Sequence, residues 1–208
     1  MIRLICKDVL FNKTHVLAAF AFSLISCVLL AWEEADFSLM AFYLSGMLIF
    51  NFVVGRACST DEQGTTLGYL KALPIESRAI VSGKFVSAIG CIALVLLVFS
   101  VGNSIIRVLG KEVHHIDLNW LAVLVGIELV YMGAFLFIYF KYGYAAAQYT
   151  IYVVLVGLFL LKVLLGRYPR ILQDYPSGSI GSAVLAIGVV SLALAWRLSI
   201  KAFERNER

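Results

Sequence analysis

The sequence predicts an all-α integral membrane protein, a bundle of six transmembrane helices with a polar helical insertion between spans two and three. Three observations predict it. Hydrophobic residues make up 62% of the 208 residues and charged residues only 14%, where a soluble domain is roughly half apolar and a quarter charged. The apolar residues gather into long runs, each close to the ~20 residues that cross a hydrocarbon core. A single polar stretch, Ser59 to Lys84, breaks the pattern after the second run.

The runs fall at about 14–32, 37–55, 79–101, 119–140, 147–165 and 179–198. They leave no room for a water-soluble domain, so residues 1–208 read as one membrane domain. Residues 1–13 set apolar Ile2, Ile5, Val9 and Leu10 against Arg3, Lys7 and Lys13. That pattern fits a helix lying in the interface, or a basic start to the first span. The second run closes at Gly55-Arg56. Spans four and five are joined by a tight turn around Gly143, and the loop from Gly166 to Ser179 carries two prolines and reads as structured turn. Asn51 and Asn103, near span ends, read as interhelical hydrogen-bond glue.

Charge placement orients the chain. With both termini cytoplasmic, twelve of the 17 Lys and Arg residues lie on the inner side, and the first outer loop, Trp32 to Asp36, is purely acidic. This is the positive-inside pattern of a multi-pass protein of the cell membrane. The net charge of +4 forms no cluster away from a membrane flank, which argues against a nucleic-acid partner. Cys6, Cys27, Cys58 and Cys91 are dispersed without a CxxC pair, so neither a zinc site nor a disulfide frame is indicated.

The polar stretch carries its own helix signals. Ser59 with Glu62, or Thr60 with Gln63, has capping-box spacing, which would start a helix near residue 61. Asp61 and Glu62 would then sit at the positive end of that helix. Leu67, Leu70 and Leu73 give a narrow apolar stripe, and Pro74 ends the helix. Gly64 and Gly68 each lower helix propensity by up to about 1 kcal/mol, so the helix needs a docking surface. Ser77 reads as a cap for a second helix leading into span three. Residues 60–73 are thus either a surface helix that passes motion from a soluble partner into span three or a loop resting on lipid headgroups.

The pattern Asp61-Glu62-Gln63-Gly64, Leu73-Pro74-Ile75 and Ile80-Val81-x-x-Lys84, set in six spans, resembles the small permeases of ABC-2-type ABC exporters. The resemblance implies that loop 56–78 holds a cytoplasmic coupling helix docked on a separate ABC ATPase. The coupling residues would be Asp61, Glu62, Gly64, Leu67, Leu70, Leu73 and Pro74. It implies a permease homodimer with two ATPase copies, with ATP and Mg bound by the partner, no cofactor in this chain and no enzyme activity of its own. The expected substrate is hydrophobic or amphipathic, such as a peptide or bacteriocin. The chain itself lacks a P-loop: where G-x-x-x-x-G-K-[ST] is required, Arg78 replaces the first glycine and Phe85 the hydroxyl.

One ionisable residue lies deep in a span. Glu128 sits about halfway through span four, where comparable residues cost about 2.5–3.5 kcal/mol on insertion scales. It reads as a cavity carboxylate on the substrate path, sharing its face with Tyr131, or as a structural glutamate hydrogen-bonded to a neighbouring helix. Without the resemblance, the same residues fit a secondary transporter or channel using Glu128, or a membrane scaffold without transport. His114-His115, with Glu112 and Asp117 nearby, reads as a surface loop rather than a metal site, and no metal site is expected.

Overall fold

The computed structural model describes residues 13–33, 37–63, 76–109, 118–166 and 177–206, and every described element is helical. Helix α1 spans Lys13–Glu33 and α2 Phe37–Phe50. A π-helical turn, Asn51–Gly55, leads directly into α3, Arg56–Gln63. Then follow α4 (Ser77–Val108), α5 (Leu118–Tyr142), α6 (Tyr144–Gly166) and α7 (Ser177–Asn206). These helices fall on the six apolar runs. Among the described residues, four stretches are long and apolar enough to cross a membrane: Phe42–Glu62, Ser77–Val108, Leu118–Tyr142 and Ile180–Arg205.

The helices sort into two compact units, α1 to α4 with the last turn of α7, and α5, α6 and the rest of α7. In the first unit α1 packs on α2 and α4, and α2 packs on α4. Phe42 of α2 meets Phe99 of α4 edge to face, with ring centroids 5.4 Å apart. The buried Ser45 hydroxyl of α2 donates to the Ser23 carbonyl of α1 at 3.4 Å, a polar tie between otherwise apolar helices.

Span two does not end at Gly55. The Arg56 N–H reaches back to the Asn51 carbonyl, which widens one turn without breaking the helix. The Asn51 side chain donates to the Met47 carbonyl at 2.7 Å, a bond within its own helix at the π turn. Beyond the turn, Val54, Ala57, Cys58 and Asp61 continue a buried stripe at helical spacing. The expected helix start near residue 61 is therefore incorrect. Thr60 donates to the Arg56 carbonyl at 2.9 Å, a mid-helix bond, and Ser59 is buried. Asp61 and Glu62 lie in the last described turn of a helix that is already formed before them, not at its start.

Helix α4 starts with Glu76 in the cap position and Ser77 as its first residue. The cap bond is made by backbone, Ala79 N–H to the Glu76 carbonyl at 2.8 Å, so Ser77 is not the cap. At 32 residues α4 is about 48 Å long by its rise per residue. A hydrocarbon core is only about 30 Å thick. Turns at the ends of α4 therefore project past it.

The second unit is built on close approach of α5 and α7. A Cβ placed on Gly126 of α5 would lie 2.7 Å from the Val184 carbonyl oxygen of α7. One on Gly188 of α7 would lie 2.6 Å from the Gly126 carbonyl oxygen. Gly181 meets Asn119 in the same way, and Gly133 meets Leu192 and Ala195. The positions advance by seven on both helices, so α5 and α7 run parallel along a seam of small residues. Between α5 and α6 the chain turns at Gly143, whose φ of 91° only glycine adopts without strain. Its N–H donates to the Tyr139 carbonyl at 2.9 Å, and Ala147 N–H donates to its carbonyl at 3.2 Å. The tight turn expected there is present.

Candidate functional site

The polar insertion is anchored by an ion pair. Lys84 Nζ lies 2.8 Å from an Asp61 carboxylate oxygen, and both side chains are buried. Asp61 closes the buried stripe of α3, while Lys84 sits two turns into α4. The apolar run of α4 from 85 to 101 has its middle about 14 Å further on, which places the pair near the hydrocarbon boundary. Breaking such a pair by removing one partner costs on the order of 3–5 kcal/mol, because a charge is left buried and uncompensated. The two helix ends that carry the segment from 64 to 75 are thus tied together at its base.

Asp61, expected on the coupling surface, turns its carboxylate to Lys84. Glu62, one residue on, is exposed. Lys84 was legible only as part of the Ile80-Val81-x-x-Lys84 pattern. A charge at the border of the long apolar run of α4 was the signal that it needs an acid nearby. Gly64, Leu67, Leu70, Leu73 and Pro74 lie outside the described residues, as do His114 and His115.

The second candidate is on α5. Glu128 is completely buried, and neither carboxylate oxygen has a hydrogen-bond partner among the described residues. At 100° per residue, Glu128 lies opposite the Gly126 and Gly133 seam. Leu124, Tyr131, Met132, Phe135 and Tyr139 fall within about 60° of it around the axis, and all are buried. Tyr131 and Phe135 rings are 6.4 Å apart, and Phe135 meets Tyr144 of α6 edge to face at 6.4 Å. Glu128 and Tyr131 therefore do share one face, and Phe135 and Tyr139 extend it. Among the described residues no three His, Cys, Asp or Glu come together as a metal site.

Glu128 lies in one of the four stretches long and apolar enough to cross a membrane, and the Asp61–Lys84 pair joins two others. No curated protein and no solved structure matches the chain significantly. A family model, described as ABC-2 family transporter protein, matches residues 3–204. That match covers nearly the whole chain, and with it the chain belongs to the ABC-2 family of transporter membrane proteins, as a permease component that partners with an ABC ATPase.

Proposed function

We propose that the chain is the membrane subunit of an ATP-driven exporter in the cell membrane. All six apolar helices cross the bilayer, with both termini cytoplasmic. Helices α1 and α6, at 21 and 23 residues, have the length for this, since about 20 residues suffice. Two copies form the transport path, and two separate ATPase subunits bind ATP and Mg. The residues from Asp61 to Pro74 couple the two kinds of subunit. Glu62 and the Leu67, Leu70 and Leu73 stripe meet the ATPase, while Asp61 braces the segment from within. Glu128 and Tyr131 lie on the path of a hydrophobic or amphipathic substrate.

The observation that carries this reading is the Asp61–Lys84 pair in a chain that matches its family from residue 3 to 204. A free headgroup-resting loop needs no braced base. A lever does, because force applied to residues 64–75 reaches α4 only if the helix ends beneath them do not yield. Burying one leucine is worth about 1.5–3 kcal/mol, so Leu70→Asp should release the ATPase while the helices stay folded. The experiment is purification of the tagged full-length chain from its native membrane. An ATPase with nucleotide-dependent activity should copurify with the unmutated chain and be lost from Leu70→Asp. Purification without any ATPase favours the second reading, a secondary transporter, which the unpartnered Glu128 within a span would serve.

A further inference from the structure

We propose that the C-terminal end of α7 binds an anionic phospholipid, with the phosphate between Arg197 and Lys201 and an acyl chain along Val190 and Leu194. The proposal rests on the reading of α7 as a membrane span, and it adds a lipid partner to that reading.

One face of α7 is committed to protein. Gly181, Gly188, Leu192 and Ala195 meet α5, and Ser199 continues that buried stripe. At 100° per residue, Val190, Leu194, Arg197 and Lys201 fall within about 60° of one another on the opposite face. All four are exposed, Val190 and Leu194 by more than half. Followed toward the C-terminus, this face is apolar up to Leu194 and cationic from Arg197. Arg197 and Lys201 are four residues apart, so their Cβ atoms are about 6 Å from each other. A phosphate fits between them, forked by the guanidinium and met by the ammonium.

The packing on α5 sets the level of the membrane surface. Gly181 meets Asn119, Gly188 meets Gly126 and Ala195 meets Gly133, each pair 62 positions apart. Phe137 of α5 is therefore level with Ser199, and Lys141 lies one turn beyond. The Lys141 ammonium is over the Phe137 ring at 5.6 Å and the Tyr142 ring at 4.7 Å. On α7 the half-exposed Trp196 lies within a turn of that level. Aromatic rings and a cation lying along them mark where a span meets the headgroup layer. Arg197 and Lys201 thus stand at headgroup depth, with Leu194 and Val190 below them in the hydrocarbon.

Charge selects the headgroup. Between residues 118 and 202 the sequence holds two acids, Glu128 and Asp174. Glu128 is level with Val190, buried on another helix, and Asp174 precedes α7. Glu204, exposed one turn past Lys201, is offset by Arg205. The face keeps a positive charge that an anionic headgroup answers and a zwitterionic one does not. A second copy seated on this face about a twofold axis along the membrane normal would set Arg197 against Arg197, a like-charge contact. A soluble acidic partner would leave Val190 and Leu194 uncovered.

The test is thermal unfolding of the full-length protein in a neutral detergent, alone or with dioleoylphosphatidylglycerol, dioleoylphosphatidylcholine or glycerol phosphate. Phosphatidylglycerol should raise the melting temperature by several degrees, and the other two should leave it near the lipid-free value. Arg197→Gln with Lys201→Gln should abolish the rise, while Arg197→Lys retains most of it. Arg78→Gln, which removes an exposed charge at the start of α4, should keep the full rise. No rise with phosphatidylglycerol, or an equal one with phosphatidylcholine, would overturn the proposal. So would an equal rise with glycerol phosphate, which would mark a site for free anions. An unchanged rise in the double variant, or its loss in Arg78→Gln, would also overturn it, since the response would then belong to the surface charge at large. The assay contains no ATPase and no intact membrane, so coupling and topology are scored separately by copurification and thiol labelling.

Discussion

Lys84 Nζ and the Asp61 carboxylate meet at 2.8 Å, joining the last turn of α3 to the second turn of α4. Both side chains are buried. The pair predicts a particular pattern of stabilities. Asp61→Leu and Lys84→Met alone should each destabilise by about 3–5 kcal/mol, since each removes the ion-pair partner of a buried charge. The double variant should recover much of that loss, because two apolar side chains leave nothing stranded. Thermal unfolding of the four proteins in one detergent measures the cycle. Additive losses in the double variant would mean that the two residues act independently.

The seam between α5 and α7 predicts a graded glycine series. Gly126→Ala and Gly188→Ala put a methyl 2.6–2.8 Å from backbone atoms of the facing helix, so the helices must separate. Gly133→Ala meets the Ala195 methyl at 3.3 Å and should cost less. Gly90→Ala and Gly157→Ala meet nothing within 4 Å. They should be neutral or stabilising by up to about 1 kcal/mol through helix propensity. The melting temperatures of the five variants should follow that order, and equal effects at Gly188 and Gly157 would contradict the seam.

Gly143 makes a sharper local prediction. Its φ of 91° disfavours any residue with a Cβ by about 1–2 kcal/mol. Gly143→Ala should lower stability by about that amount, and Gly143→Asn by less, because asparagine tolerates the left-handed region better. Thermal unfolding distinguishes the two. A Gly143→Ala protein as stable as the parent would show that the turn adopts another conformation.

Orientation is testable at positions whose exposure is known. In a background with its four cysteines replaced by serine, Glu62→Cys and Leu118→Cys both place a thiol at an exposed site. An impermeant thiol reagent added to intact cells should label Cys at 118 and spare Cys at 62. The reverse pattern would invert the topology and place residues 64–75 outside. Ser59 is unsuitable as a reporter because it is buried.

The apolar runs were legible because a span is a composition signal about 20 residues long. The helices depart from those runs at their ends. Span two continues past Gly55 because the Asn51–Gly55 turn widens, and periodicity cannot reveal a π turn. Ser59 and Thr60 fit a cap motif by spacing, yet both lie within a helix. A capping box presumes free N–H groups, and here the helix arrives already formed. The burial of Asp61 could not be read from a linear sequence, since its partner Lys84 lies 23 positions on, beyond a segment of mixed character. The seven-residue recurrence of Gly126 and Gly133, and of Gly181, Gly188 and Ala195, was present in the sequence. It was hidden by the many other small residues in the same helices. Glu128 stood out because a charge within an apolar run is rare, and its position opposite the seam follows from helix geometry.

In the proposed function, residues 62–74 of this ABC-2 permease touch an ATPase and transmit its motion to α4. Photo-crosslinking residues substituted at Glu62 and Leu70, with one at the exposed Val189 of α7 as control, test it most directly in native membranes. The expected result is an adduct with an ABC ATPase from positions 62 and 70, changing in yield with ATP, and none from position 189. Adducts with lipid alone at 62 and 70, with the crosslinker active at 189, would contradict it.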